Sequence, residues 1–450
     1  MDQTYATAIV GLVIGYYVIK IATKPKFGVP PRISWKARLG NLLLSPLAYF
    51  QISPVFKPLS LKSLKKAATK MTKGLTDFGD TWYETPYTQT MEMVNTSTYS
   101  PIGKAAANDF FLRRLIARLR LIDHLKSPSI SPCLQKPVTK PLFVVGLPRT
   151  GTTFLHRLLS LDPSARSPRT YELFDPVPRY PDPIKDKKSR VKFVQSAIDK
   201  LLLCVPHFSG IHEVGADLPE ECMMSLGCDI PMLFATFHVL ISPPYLSFDW
   251  ESGQAYKNYK KVLQLLQHQE KSYDKRWTLK CPVHLGLLPF LSEGFPDATV
   301  VWTHREPKQA IGSLCSFVRA TQDMHEGSGY IDLEKVGADV NNFGNLWIKR
   351  ADDFLKSPES KGHKRGNVMY TELIKNPVGT VKKLYGDLGY EFTPEYEKLL
   401  KEYVEENNRE REALKKSGAK KLHSYELKDF NLDEEKVAEG LAWYKEKYFK

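Results

Sequence analysis

Pro141-Leu-Phe-Val-Val-Gly146-Leu-Pro-Arg149-Thr150-Gly151-Thr152-Thr153-Phe154-Leu-His-Arg157-Leu-Leu159 is the stretch on which the fold turns. Its apolar opening ends in glycine and reads as a short buried strand. From Thr152 the apolar residues recur at helical spacing, which predicts a helix to Leu161. Between them lies a loop with two glycines at the GxxxxG spacing of a P-loop. The backbone N–H groups of such a turn, with the positive end of the following helix, form an anion site.

The loop departs from the nucleoside-triphosphatase pattern. That pattern needs lysine directly after the second glycine, where this chain has Thr152. No apolar strand ending in a magnesium-binding aspartate is evident, and the basic group sits inside the loop as Arg149. This suits a ligand in which one 5′-phosphate is joined to a sulfate. Arg149 can donate in a fork to sulfuryl and bridging oxygens, while Thr150, Thr152 and Thr153 offer hydroxyls to the 5′-phosphate.

Moving outward, further strand-like runs are Trp277–Lys280, Ala298–Thr303 and Val368–Tyr370, separated by helical patterns such as Lys257–Gln269. This alternation predicts an α/β, P-loop-type three-layer fold with a mainly parallel central sheet. Arg305 follows the Ala298–Thr303 run, and Pro307 opens a helix with Ser313 in its second turn. A strand-end arginine and such a serine can converge on one phosphate, assisted by the helix N-terminus.

The N-terminal side reads differently. Tyr5–Ala22 is almost unbroken apolar sequence, long enough to cross a bilayer. Lys20, Lys24, Lys26, Arg32, Lys36 and Arg38 lie within or after it, so the positive-inside bias puts the rest of the chain on the cytosolic side. The expected organisation is a membrane anchor over 1–24, a basic, mainly helical membrane-proximal segment over 25–135, and a catalytic domain over 136–450. Leu42–Ile52 is too short to span and is expected to lie against the membrane surface. In DFFLRRLIARLRLIDHL (109–125) arginines interleave with apolar residues, which reads as a solvated amphipathic helix.

The formal net charge is +14 over 450 residues. It favours an anionic ligand or membrane face. With no zinc-finger spacing, basic heptad region or RNA-binding signature, nucleic acid is not expected as a partner. The six cysteines form no CxxC and read as reduced. One glycosylation sequon, Asn95-Thr96-Ser97, argues weakly for a lumenal setting.

Gly146–Thr153 is followed by His212-Glu213-Val-Gly-Ala-Asp217-Leu-Pro-Glu220-Glu221-Cys222, Leu279-Lys280-Cys-Pro282-Val-His284-Leu285 and Thr303-His-Arg305-Glu-Pro307. In this order the motifs resemble those of sulfotransferases dependent on 3′-phosphoadenosine-5′-phosphosulfate (PAPS). The similarity is strongest to a branch of mostly bacterial and lipid-linked members, and covers about residues 136–450. It implies a PAPS site built from Arg149, Thr150, Gly151, Thr152, Thr153 and Phe154, with Arg305 and Ser313 on the 3′-phosphate and Tyr370 near the adenine. His423-Ser-Tyr425 resembles the segment that closes over the nucleotide.

Sulfuryl transfer needs cations on the sulfuryl and leaving-group oxygens and a base for the acceptor proton, but no metal. Arg149 and Lys280 are the charge stabilisers. Glu172, His284 and the His212–Glu213 pair compete as the base. Placement after the loop helix favours Glu172, with His284 accessory, although Arg166 and Arg169 could claim Glu172 for a structural bridge. The membrane anchor and the apolar runs Pro231–Phe237 and Pro243–Phe248 point to a sterol or other lipid alcohol as acceptor. The endoplasmic reticulum is the expected membrane, with the Golgi lumen as alternative. Two other readings stay open: a P-loop kinase or other phosphotransferase, and a catalytically inactive membrane scaffold of the same fold.

Overall fold

The structure, a computed structural model, describes Gly11 and residues 28–231, 253–326, 330–416 and 426–449. Five strands form one sheet: β1 (Leu142–Val145), β2 (Ala165–Arg166), β3 (Arg276–Lys280), β4 (Thr299–His304) and β5 (Lys364–Met369). Their order is β2-β3-β1-β4-β5 and every pairing is parallel. Because β1 starts in the middle, its loop opens at the carboxyl ends of the strands between β3 and β4, where ligands of such sheets bind.

Burial on both faces explains why the central strands read as unbroken apolar runs. Phe143 and Val145 of β1 join Trp277, Leu279, Val300 and Trp302 in one core, closed by the helices Pro101–Leu125, Gly253–Glu270, Pro307–His325 and Leu333–Lys356. Leu142 and Val144 face the other way, with Val301 and Val368, against the helices Thr152–Leu159, Pro377–Leu388 and Pro394–Lys416. Strand alternation thus divides the molecule into three layers.

The larger core also contains Leu64, Tyr83, Tyr87, Met91, Phe111, Leu115 and Leu119. The segment before residue 136 therefore shares its interior with the sheet. Here one expectation is corrected. The helix Pro101–Leu125 is not a solvated amphipath, because Arg114 and Arg118 are buried. Arg114 donates to the carbonyls of Met224 at 2.6 Å and Phe174 at 2.9 Å. Arg118 is paired with buried Asp229, donates to the Phe78 carbonyl at 2.6 Å, and lies over the Tyr83 ring. Arg114 and Arg118 are interior cations whose partners come from distant segments.

Among the described residues no helix is long and apolar enough to cross a membrane. The run Tyr5–Ala22, Gly11 aside, lies outside them, as do His423–Tyr425 and all but Pro231 of the two acceptor-side apolar runs. All six cysteines are free. The Asn95 side chain is engaged by the Leu59 backbone, accepting its N–H at 2.7 Å and donating to its carbonyl at 3.0 Å.

Removing Arg118 strands the buried Asp229 carboxylate, so Arg118→Ala is expected to cost about 3–5 kcal/mol in urea unfolding. Lys126→Ala breaks an exposed, solvent-screened pair with Asp77 and is expected to leave the urea midpoint nearly unchanged. Equal losses for the two would show that Arg118 is not an interior anchor.

Candidate active site

The loop after β1 turns through three left-handed residues, Gly146 at φ 153°, Arg149 at φ 74° and Gly151 at φ 90°. Gly146 is required by close approach: a Cβ there would lie 2.3 Å from the Thr303 hydroxyl. Gly151 is required by its φ, and ends the turn as N-cap of the helix Thr152–Leu159, with no side chain capping that helix. Its first N–H groups thus stay available to an anion. Thr150 fixes the turn rather than pointing out of it, donating to the Leu147 carbonyl at 2.6 Å and pairing with the Thr303 hydroxyl at 2.6 Å.

The sequence-predicted nucleotide residues are brought together around this turn. Arg149 Nε donates to Ser313 Oγ at 3.1 Å, and its NH1 donates to the Ile211 carbonyl at 2.8 Å. Arg305, just past β4, donates to the Arg149 carbonyl at 2.8 Å, and its guanidinium lies 4.4 Å from the Tyr370 ring centre. Tyr370 also closes on Gly151, where a Cβ would come within 2.9 Å of its ring. Phe154 points elsewhere, stacking with Tyr403 on the outer helix Pro394–Lys416.

Lys280 ends β3 fully buried. Its ammonium donates to Glu221 Oε1 at 2.7 Å, lies 3.7 Å from Glu220 Oε1, and reaches Thr153 Oγ1 of the loop helix at 3.4 Å. Burial pulls the Lys280 pKa down, but the charges of Glu221 and Glu220 outweigh it and hold it above the ordinary value. Burial pushes the Glu220 carboxyl up, yet the neighbouring His212 imidazole and the Lys280 charge hold it well below the usual range. His212 Nε2 approaches Glu220 Oε2 at 3.8 Å. The Ile211 carbonyl held by Arg149 puts His212 next to the loop.

Three residues escaped the sequence reading. Glu220 and Glu221 stood inside a quoted motif, but their partner Lys280 is remote in sequence. The third, Arg157, is buried one helical turn from Thr153, and its Nε, NH1 and NH2 have no hydrogen-bond partner among the described residues, with Glu213 Oε2 at 3.9 Å. The i,i+4 spacing from the loop threonine was its one signal. His212, Glu220 and Glu221 could also converge on a metal, their ligand atoms lying within 4.8 Å of one another. The Lys280 ammonium already supplies positive charge there.

Two proposed bases lie differently from this cluster. Glu172 Oε1 accepts from Arg166 NH2 at 2.8 Å, and Oε2 accepts the Arg169 backbone N–H at 2.8 Å. Both residues line a polar pocket of about 430 Å³ beside β2 that includes no residue of the phosphate loop. His284 is fully buried, its Nδ1 2.7 Å from the Tyr256 hydroxyl and its ring edge-on to Phe143.

With this geometry in place, the relatives can be named. The sulfotransferase family model matches residues 141–394, and the chain belongs to that family. It is similar to omega-hydroxy-beta-dihydromenaquinone-9 sulfotransferase Stf3 of Mycobacterium bovis and of Mycobacterium tuberculosis. Each is 26% identical over 284 residues, 59% of this chain and 66% of the relative, so the match spans slightly under two thirds of their length. Sulfotransferase STF1 from Mycobacterium tuberculosis H37Rv superposes with a TM-score of 0.67 at 26% identity, over 86% of this chain and 99% of that one. Sulfotransferase STF9 from Mycobacterium avium shares the fold, with a TM-score of 0.71 at 23% identity, over 86% of this chain and 96% of that one.

Burial first, and the Lys280 charge next, push both His156 and His284 down to about 3. Unfolded histidines titrate near 6.5, so between pH 6.5 and 3 the unfolded chain binds more protons than the folded one. Stability is expected to be full above pH 7 and to fall on acidification, by up to about 1.4 kcal/mol per pH unit per histidine. The urea midpoint followed from pH 7.5 to 4.5 checks this; an unchanged midpoint at pH 5 would refute it.

Proposed function

We propose that the protein transfers the sulfuryl group of PAPS to the hydroxyl of a lipid alcohol. The observation that carries this reading is the continuous chain Arg305–Arg149–Ser313, which joins the strand-end Arg305 to the arginine of a glycine-framed loop and to an uncapped helix N-terminus. The groups converging on the loop are cations, hydroxyls and backbone N–H donors, which fits a bisphosphate–sulfate donor. Bound there, the donor supplies an activated sulfuryl group on a phosphate leaving group.

In this reading Arg149 and Lys280 hold charge on the sulfuryl and leaving-group oxygens, and Thr152 and Thr153 with the helix N-terminus hold the 5′-phosphate. Arg305 and Ser313 hold the 3′-phosphate, with Tyr370 beside the base. We assign the acceptor proton to His212, with Glu220 orienting its ring, because this pair lies next to Arg149 while both oxygens of Glu172 are engaged. Glu172 then acts as a structural bridge, and His284 as a buried packing group.

A lipid alcohol is supported by the apolar sequence on the acceptor side and by the relatives, whose name specifies an ω-hydroxy acceptor. Tyr5–Ala22 would tether the enzyme to a membrane, with the basic residues that follow keeping the catalytic domain on the cytosolic face.

The test is transfer of labelled sulfate from PAPS across a panel of ω-hydroxy prenyl lipids, sterols and phenols. Transfer favouring the lipid alcohols is expected. Magnesium-dependent ATP hydrolysis would instead support a kinase, and tight binding of adenosine 3′,5′-bisphosphate without turnover an inactive scaffold.

Arg149→Ala is expected to raise the barrier by about 2–4 kcal/mol, with Arg149→Lys in between. Arg305→Ala and Ser313→Ala are expected to raise KM for the donor more than they lower kcat. A donor KM unchanged in both would move the 3′-phosphate site elsewhere. His212→Gln is expected to lower kcat by roughly 10²–10⁴-fold, whereas Glu172→Gln lowers the unfolding midpoint with kcat nearly intact. The opposite pattern would return the base to Glu172.

A further inference from the structure

The helix Trp35–Tyr49 is amphipathic in the reverse sense from an ordinary surface helix. Its buried residues are small, namely Ala37, Ser45 and Ala48. Polar bonds fix this inner face: Asn41 accepts the Ile102 N–H at 3.0 Å, and Ser45 donates to the Asn41 carbonyl at 2.6 Å. The Ser34 N–H, donating to the Cys204 carbonyl at 2.9 Å, and Arg32, paired with buried Asp323, hold its start against the body.

The large apolar side chains point outward. Trp35, Leu39, Leu43, Leu47 and Phe50 recur at three- and four-residue spacing, and Ile52 extends the row, with Trp35 69%, Leu43 67% and Ile52 64% exposed. Burying such large apolar side chains against the protein would be favourable, yet the fold buries alanine and serine in their place. A contiguous exposed stripe of this kind marks an interaction surface.

We infer that this face lies in the lipid–water interface of an anionic bilayer. Charge and position select that occupant. Lys36 and Arg38 are exposed at the head of the helix. Trp35 and Phe50 stand at the two ends of the stripe, as aromatic residues do at membrane interfaces. The helix also lies close after the apolar Tyr5–Ala22 run and its Lys20, Lys24 and Lys26 in sequence. The contact would orient the domain on the membrane as a second attachment, and it stands whether or not the donor and acceptor assignments hold.

The experiment uses the full-length protein with phosphatidylcholine–phosphatidylserine vesicles whose acyl chains are brominated near the headgroup. Bromine quenches tryptophan within the interface, and Tyr5–Ala22 contains no tryptophan. Trp35→Phe is expected to float with vesicles like wild type but to lose most of the quenchable emission. Adding Leu43→Trp to that variant is expected to restore it. Failure to float, or equal quenching with and without Trp35, would overturn the inference. So would burial of Trp35 against a second copy, seen as absence of quenching in vesicle-bound protein.

Discussion

One buried ammonium organises the site. Lys280 at the end of β3 has no access to water, and an unpaired charge there would cost several kcal/mol. Glu220 and Glu221 meet that demand, and the Cys222 N–H closes on the Lys280 carbonyl at 3.0 Å. The segment that supplies the carboxylates is therefore fastened to the end of the sheet. Arg149 takes the Ile211 carbonyl from the other side and fixes the same segment to the loop. His212 lies between the two fastenings, so its position follows from charge pairing rather than local propensity.

This dependence explains what could and could not be read from the sequence. β1, β3 and β4 were legible because strands covered on both faces become apolar runs, and the loop because its glycines answer to steric demands visible in any sequence. The convergence of Arg149, Arg305 and Ser313 was readable because each stands at a strand end or first helical turns of a parallel sheet, which share one edge by topology. The contacts of Glu172 were not. A carboxylate near the loop in sequence could as well face the acceptor as meet Arg166, and the Arg166 pairing depends on where β2 joins the sheet.

Arg114 and Arg118 show the same limit in the core. A helix with arginines between apolar residues reads as solvated unless its partners are known, and these partners come from residues 78, 174, 224 and 229. The helix Trp35–Tyr49 raises the converse question, and large apolar residues from Leu42 to Ile52 face outward. Periodicity reports that one face is apolar but not which way it turns, and here the contact of Asn41 with Ile102 turns it outward.

The charge pattern also bears on what the pocket can hold. A P-loop triphosphatase balances its phosphates with a loop lysine and a magnesium ion, whereas here cations arrive from β1, β3 and β4 as fixed side chains. Glu220 and Glu221 could bind a metal with His212, but only in competition with the Lys280 ammonium, since two positive groups at that spacing repel in a dry interior. An anion entering near Thr153 faces the opposite balance. It would be attracted to Lys280, whose ammonium already reaches Thr153 Oγ1 at 3.4 Å, so under the assignments proposed above one lysine would touch both the donor and the carboxylate beside His212.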